Sequence, residues 1–372
     1  MSLRYIILKL HQAIALTAGF LFVLSGLTGS MMVFGHEIDS VFNPELLTAP
    51  PEFPAQPKLT YDALFIAAQN CLQAKGDANL YISGISAPFY PDSNVLVWYK
   101  SRNKAEDTLH EMYIHPYSGK KLGERVFGAY FGSFIYTLHY SLFLGDTGRR
   151  LLGYVGISII LLLFSGVFLW WTRRGRHHYS HNRNRPSLPW HRNIHRLTGI
   201  YFVPLLLVIV TTGIYMELQQ PVRQLFRQWV PLSQTPETTI IAQGNAHRMS
   251  IDNAIAIAEA EFPESAFSRI YFSANDNASW LLTFTPRSDP KKHNGYDRIS
   301  IDSYTGKIMT KRNWVNASGG DRVLEWMFPL HNGEAFNLPG RILIFWSGLI
   351  PLVLFITGIL CWIRRSRTRK AL

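Results

Sequence analysis

The chain has 372 residues, of which 47% are hydrophobic and 17% charged, and its mean hydropathy is +0.03. That is too apolar for an ordinary soluble protein and too charged for one lying wholly in lipid, so membrane spans should alternate with sizeable soluble parts. The formal net charge of +12 would suggest nucleic acid only if the excess basic charge were spread over a soluble surface, and its distribution shows otherwise.

In chain order, the first apolar run covers residues 10–35, just after Arg4 and Lys9. It is too long for the core of a signal peptide and ends without a small-x-small cleavage pattern, which predicts a retained first span. A soluble segment follows. Thr60 is suited to N-cap a helix over 61–72, and strand-like runs occupy 80–85, 95–99 and 112–115, with a turn at Ser118-Gly119. Leu138-His139 and then Gly148-Arg149 lead into the second apolar run, 151–172.

A basic stretch, 173–196, separates this run from the third, 197–216. The next soluble segment offers Ser250 as an N-cap for a helix over 251–261, strands over 268–272, 280–285 and 298–302, and a turn at Thr305-Gly306. Leu330-His331 and Gly340-Arg341 precede the fourth run, 342–363. Both long runs of soluble sequence therefore read as small α+β units.

All 25 acidic residues fall within 37–146 and 217–334, whereas the basic excess clusters at Arg4 and Lys9, in the stretch 173–196, and in the tail 364–370. Cytoplasmic loops collect Lys and Arg, so both termini should be cytoplasmic and the two long segments extracytoplasmic, hence periplasmic in a Gram-negative inner membrane. The expected organisation is a first span within 1–36, a periplasmic unit with an interfacial helix before the second span (37–147), the second span (148–172), a cytoplasmic loop (173–194), the third span (195–216), a second such periplasmic unit (217–339), the fourth span (340–363) and a tail (364–372). The two cysteines, Cys71 and Cys361, fall in different compartments and cannot form a disulfide framework. No C-x-x-C-H occurs, so any haem must be held non-covalently.

The internal repeat is more informative than any single motif. The interval from His11 to Thr28-Gly29 equals that from His195 to Thr212-Gly213, and the interval from His139 to Ser165-Gly166 equals that from His331 to Thr357-Gly358. Trp170 and Trp362 follow those last glycines at the same offset, while Thr60-Tyr61-Asp62 and Tyr117-Ser118-Gly119-Lys120 are echoed by Ser250-Ile251-Asp252 and Tyr304-Thr305-Gly306-Lys307. The chain reads as a tandem duplication, roughly 1–172 and 190–364.

With a histidine opening the first span of each repeat and Leu-His before Gly-Arg at the second, nearly the whole chain resembles the PepSY-associated transmembrane family. The resemblance implies a polytopic α-helical membrane protein of four spans with two periplasmic PepSY-like units. It also implies kinship with inner-membrane siderophore reductases of the FoxB type, which bind haem and reduce iron in imported ferric siderophores. By position, His11 and His195 match the family's first-span histidines, and His139 and His331 its pre-span histidines.

Ligand pairing is a matter of geometry. Two copies inserted in the same orientation are related by an axis along the membrane normal, so equivalent residues share a depth. His11 and His195 then face each other near the cytoplasmic side, and His139 and His331 near the periplasmic side. Each pair suits one six-coordinate haem b, giving two haems. Spans of this length separate their ends by roughly 25 to 35 Å at about 1.5 Å per residue, too far for one haem to serve both faces. His36, matched by Gln220 in the second copy, is a further candidate ligand or propionate donor. Imidazoles alone also suit zinc or copper, but the absence of carboxylates in the spans disfavours a di-iron or manganese site.

Other features have plainer readings. His177, His178, His181 and His191 sit in the basic stretch as solvated loop residues, and Trp170, Trp171 and Trp362 as interfacial anchors. The Thr-Gly and Ser-Gly pairs permit close packing of helices or of a flat macrocycle. Tyr81, Tyr90, Trp98, Tyr99, Trp280, Tyr296 and Trp314 are strand or core aromatics as readily as lining for an acceptor pocket.

Two functions compete. In one, an external cytoplasmic or membrane donor reduces the two haems, which pass electrons to a periplasmic ferric siderophore and release ferrous iron; no nicotinamide or nucleotide fingerprint suggests an internal donor. In the other, the chain is a non-redox siderophore or metal permease, or a PepSY binding module. A permease should show polar or broken helices at mid-bilayer, and only Pro204 and Pro351 hint at one.

Overall fold

The computed structural model describes residues 1–49, 57–88, 92–103, 108–174, 190–233, 236–239, 247–275, 277–287 and 297–370. Loop histidines His177, His178 and His181 and the aromatics Tyr90 and Tyr296 lie outside the described residues.

In chain order the helices and strands are α1 (Leu3–Val33), α2 (Gly35–Phe42), α3 (Pro44–Leu47), α4 (Tyr61–Gln73), β1 (Leu80–Ser86), β2 (Val95–Ser101), β3 (His110–Ile114), β4 (Lys121–Val126), α5 (Phe131–Ser141), α6 (Gly145–Arg174) and α7 (Trp190–Glu217). They continue with α8 (Gln219–Phe226), α9 (Ile251–Glu261), β5 (Ser265–Tyr271), β6 (Trp280–Pro286), β7 (Asp297–Ile301), β8 (Ile308–Arg312), α10 (Gly319–Glu325), α11 (Met327–Asn332), α12 (Asn337–Ser347) and α13 (Ile350–Lys370). The chain divides into a helical unit of residues 1–34, 135–226 and 326–372, and a sheet unit of 35–134 and 227–325.

The helical unit holds four stretches long and apolar enough to cross a membrane: Leu3–Val33, Gly145–Thr172, Trp190–Glu217 and Glu334–Arg364. Their side chains sort accordingly. Phe20, Tyr154, Leu161, Phe164, Phe202 and Ile356 stay exposed, as lipid-facing residues do, while Ala18, Ile159, Leu163, Leu206, Val210 and Ile350 pack together inside. The helices form a closed ring in which α1 packs on α6, α6 on α7, α7 on α13 and α13 on α1. The helices before the second and fourth spans cluster with this bundle, from Ile135 in α5 and from Trp326 onward.

The fourth stretch corrects the expectation of an unbroken span: α12 ends at Ser347 and α13 resumes at Ile350. Pro351 lacks the N–H that would continue the ladder. Span 1 fills the gap, since a Cβ on Gly26 would lie 2.6 Å from Gly348 O, and Ser30 Oγ donates to Phe345 O at 2.6 Å. Pro204, by contrast, is accommodated inside α7 without ending it.

The Gly-Arg repeats also acquire a role. Arg149 donates through Nη2 to Met216 O and through Nε to Glu217 Oε2, both at 3.1 Å, while Arg341 donates to Val33 O at 2.5 Å. Each guanidinium therefore reaches from one repeat to a carbonyl at the C-terminal end of the other repeat's first helix. Such a position is worth roughly 0.3–1 kcal/mol through the helix dipole.

In the sheet unit the two expected α+β units are merged. One antiparallel eight-stranded sheet runs β4-β3-β2-β1-β5-β6-β7-β8, with the copies joined where Gly84, Ile85 and Ser86 pair with Tyr271, Ile270 and Arg269. The outermost strands, β4 and β8, are additions to the three predicted per copy. Leu64, Ala68 and Leu72 of α4 and Ala254, Ile255 and Ala258 of α9 share one core with Ile85, Val97, Met112, Ile270, Leu282 and Ile299. Tyr99 and Trp280 belong to this core rather than to an open pocket.

Thr60 and Ser250 cap α4 and α9 as their spacing predicts, accepting from Ala63 N at 3.2 Å and Asn253 N at 3.1 Å. The aspartates two residues on act across the pair. Asp252 accepts from Tyr61 N and Asp62 N at 3.0 and 2.9 Å, and Asp62 accepts from Ile251 N and Asp252 N at 2.7 and 3.2 Å. Each helix start is thus capped by the other copy's carboxylate. Burial and the adjacent Asp252 push the Asp62 carboxyl up. Asp252 is desolvated too, but hydrogen bonds from the Asp62 side chain and from the amides of Asp62 and Tyr61 outweigh that and hold it down.

A carboxyl raised on folding loses its contribution as pH climbs through the raised value, and one lowered on folding loses it as pH falls through the lowered value. The pair therefore favours the folded state most near the ordinary aspartate range. Asp62→Asn should flatten the upper flank: as pH rises above the ordinary aspartate range the thermal midpoint of the detergent-purified variant should lose less than that of the parent. Parallel midpoint–pH curves would refute this coupling of the two carboxyls.

Candidate functional site

Four histidines in the helical unit form two facing pairs. The rings of His11 on α1 and His195 on α7 have centroids 6.4 Å apart with planes at 87°, and those of His139 on α5 and His331 on α11 are 6.2 Å apart with planes at 56°. The rings expected to face each other do so. His36 is elsewhere: it stands in α2 of the sheet unit, where its carbonyl accepts from Ser40 Oγ at 2.8 Å, and it is not part of either pair.

The spacing has a chemical meaning. A metal–imidazole bond is about 2.0 Å and a ring centroid lies roughly 1.1 Å behind its nitrogen, so two imidazoles sharing one metal ion from opposite sides have centroids about 6.2 Å apart. Both pairs meet that value.

Each ring is held by the hydroxyl-glycine pair of the neighbouring helix in its own repeat. His11 Nδ1 lies 2.8 Å from Ser165 Oγ on α6, and His139 Nδ1 lies 3.0 Å from Thr28 Oγ1 on α1. In the second copy His195 Nδ1 lies 3.1 Å from Thr357 Oγ1 on α13, and His331 Nδ1 lies 3.0 Å from Thr212 Oγ1 on α7. The following glycine makes room. A Cβ on Gly166, Gly29, Gly358 or Gly213 would stand 3.4, 3.0, 3.4 or 3.2 Å from the Cε1 of the docked histidine. These pairs, expected to serve helix packing or a macrocycle, instead seat the imidazoles, leaving Nε2 as the nitrogen available to a ligand.

Beside His11 and His195 lies a cavity of about 690 Å³. Leu8, Ala15, Phe22, Leu162, Val203 and Phe355 give it apolar walls, and Arg4, Arg192, Arg196 and Arg364 line it as well. The Nε atoms of Arg4 and Arg196 are buried without a hydrogen-bond partner. Guanidinium groups around an apolar slot are suited to a flat, largely hydrophobic molecule carrying carboxylates.

Two earlier readings change here. His191, expected on a solvated loop, is buried at the start of α7 with its ring 5.8 Å from that of Trp190, and it lines the cavity. Trp170 and Trp362, expected only as anchors, line it too, whereas Trp171 is 66% exposed as an anchor should be. The cavity arginines are residues that charge counting assigned to topology alone. Their spacing from His11 and His195 along the helices was the available signal.

Among the described residues no cluster of three or more His, Cys, Asp or Glu side chains is arranged to hold a metal ion. Bare zinc sites draw on three or four protein ligands. Paired imidazoles at metal-spanning distance fit a cofactor that supplies the remaining coordination itself.

The model of the PepSY-associated TM region matches residues 8–365. The chain belongs to the PepSY-associated TM family. A search of curated proteins finds no match to it. As a family member it is a polytopic helical membrane protein, and the matched region includes all four paired histidines and the strands of the sheet unit.

Proposed function

We propose that this PepSY-associated TM protein is a di-haem electron-transfer protein of a bacterial inner membrane, acting as an oxidoreductase that delivers electrons to a periplasmic ferric siderophore. The observation that carries this reading is the pair of facing imidazole couples, at 6.4 and 6.2 Å, each ring tied back through Nδ1. His11 and His195 would hold one haem b, and His139 and His331 the other. Arg4 and Arg196, which line the cavity, would pair with the carboxylates of the haem beside His11.

Bound haem supplies a one-electron ferric/ferrous couple. The chain's part would be to hold the ligating nitrogens, exclude water with its apolar walls and keep the two sites at different depths. His11 and Thr28 mark the two levels on α1, about 25 Å apart along a helix rising about 1.5 Å per residue. Basic segments on the side of His11 support cytoplasmic termini and, with them, a periplasmic sheet unit of two PepSY-like halves. The electron donor is then an external cytoplasmic or membrane component. Ferric siderophores suit the acceptor role because ferrous iron is a softer ion that oxygen chelators hold far more weakly.

The permease alternative gains from the interruption between Ser347 and Ile350. The interruption is, however, packed against Gly26 and Ser30 rather than opened to a transport path. A visible spectrum separates the readings. Protein purified from haem-replete cells should show a Soret band that sharpens and shifts to the red on dithionite reduction, with about two haems per chain. A colourless, folded preparation is the outcome that removes the redox reading.

The acceptor is tested separately. Dithionite-reduced protein, freed of excess reductant and mixed anaerobically with ferric hydroxamate or catecholate chelates, should reoxidise and yield ferrous iron to a ferrous-specific chelator. Reduced protein that ignores every ferric chelate but reoxidises with another periplasmic acceptor would leave electron transfer standing and exclude the siderophore.

A further inference from the structure

We infer that Thr28, Ser165, Thr212 and Thr357 are positioning residues that hold all four histidines in the Nδ1-protonated tautomer and thereby set the donor strength of Nε2 toward haem iron. This rests on the di-haem reading and adds to it the residues that tune the two centres.

The hydroxyl protons are already committed. Thr28 Oγ1 donates to Leu24 O at 2.7 Å, Thr212 Oγ1 to Val208 O at 2.8 Å, Thr357 Oγ1 to Val353 O at 2.6 Å and Ser165 Oγ to Leu162 O at 2.8 Å. Each oxygen therefore meets the imidazole with a lone pair, and Nδ1 must be the donor. In the second copy the same answer comes independently. His195 Nδ1 is 3.0 Å from Leu354 O and His331 Nδ1 is 3.0 Å from Ile209 O, and a carbonyl can only accept. With Nδ1 carrying the proton, Nε2 is the basic nitrogen.

Ordinary back-bonding does not account for the arrangement. Thr17, on α1 and facing outward, also donates to its own helix, at Ala13 O and 2.9 Å. What sets the four apart is a second contact, to a histidine on another helix, beside a glycine that clears the ring's path. An acceptor on the distal N–H raises the basicity of a metal-bound imidazole and favours the higher oxidation state. Removing it should favour ferrous iron.

The test uses the full chain purified in detergent, with Thr28→Val, Thr28→Ser and Ser165→Ala, and reads haem content, the low-spin ferric EPR signals and a redox titration. Thr28→Val keeps the side-chain volume but loses the hydroxyl acceptor, leaving the His139 ring only the Ser25 carbonyl. One haem should shift toward ferrous by about tenfold at fixed solution potential, which is about 59 mV for a one-electron couple. The other haem should be unmoved. Thr28→Ser should titrate like the parent, and Ser165→Ala should shift the haem that Thr28→Val left alone.

A folded Thr28→Val protein with both titrations and both EPR signals unchanged overturns the inference. If Thr28→Val loses one haem outright, retention by Thr28→Ser supports it, and equal loss in both overturns it by showing that bulk rather than the hydroxyl matters. A parent chain that binds no haem removes the di-haem reading itself, a result distinct from the others.

Discussion

His139→Ala and His331→Ala should each yield a chain with one haem in place of two, and His11→Ala and His195→Ala should each lose the other haem. A bis-imidazole centre depends on both ligands, and the ring centroids pair these residues at 6.2 and 6.4 Å. The double variant His11→Ala/His195→Ala should therefore be no worse than either single one, because its two changes act on one centre. The surviving haem should identify itself: the ring planes meet at 87° in one pair and 56° in the other, so two ferric EPR signals of different anisotropy are expected. Should His11→Ala and His331→Ala remove the same haem, the pairing is wrong however good the distances look.

Gly148→Ala and Gly340→Ala should be nearly as damaging although neither residue touches a ligand. A Cβ on Gly148 would sit 1.7 Å from Ser141 O, and one on Gly340 would sit 2.2 Å from Gly333 O. Both obstacles are backbone, which cannot rotate aside, so the cost should exceed the roughly 1–3 kcal/mol typical of overpacking. These contacts fold the His139 and His331 helices back onto the spans that follow. The first turn is already strained, with Leu142 and Phe143 in the left-handed region at φ 52° and 59°. Loss of the haem between His139 and His331, with much reduced folded yield, is the expected result. Gly35→Ala and Gly319→Ala, where an added Cβ meets nothing within 4 Å, should keep both haems. Full haem content in Gly148→Ala would show that the turn can relax without moving His139.

The residues themselves explain what could be read from sequence. The spans announce themselves by uncharged apolar runs, and the histidine pairs by a register repeated across the duplication. The seating of each ring is hidden from the sequence, because Thr28-Gly29 and His139, each visible alone, meet only in three dimensions. Strands β4 and β8 were hidden by composition. Lys121, Glu124 and Arg125, or Thr310, Lys311 and Arg312, give little apolar alternation, as suits sheet edges guarded against pairing. The interruption before Ile350 was masked by continuous hydrophobicity, with Pro351 its only trace. The single sheet depended on β1 meeting β5 across two intervening spans, which no local pattern encodes.

That last meeting has a consequence for how the protein is made. The ribosome releases β1 long before β5 exists, and two membrane spans must emerge in between. Until then the first copy has an unpaired inner edge at Gly84–Ser86, the stretch that later joins Arg269, Ile270 and Tyr271. Such an open edge is available to any strand nearby, including the same edge of a neighbouring nascent chain. Because the duplication is carried on one polypeptide, the proper partner arrives tethered at high local concentration. Insertion of the third helix is thus also the event that delivers the second half of the sheet, and a chain stalled before it should be the aggregation-prone intermediate of biogenesis.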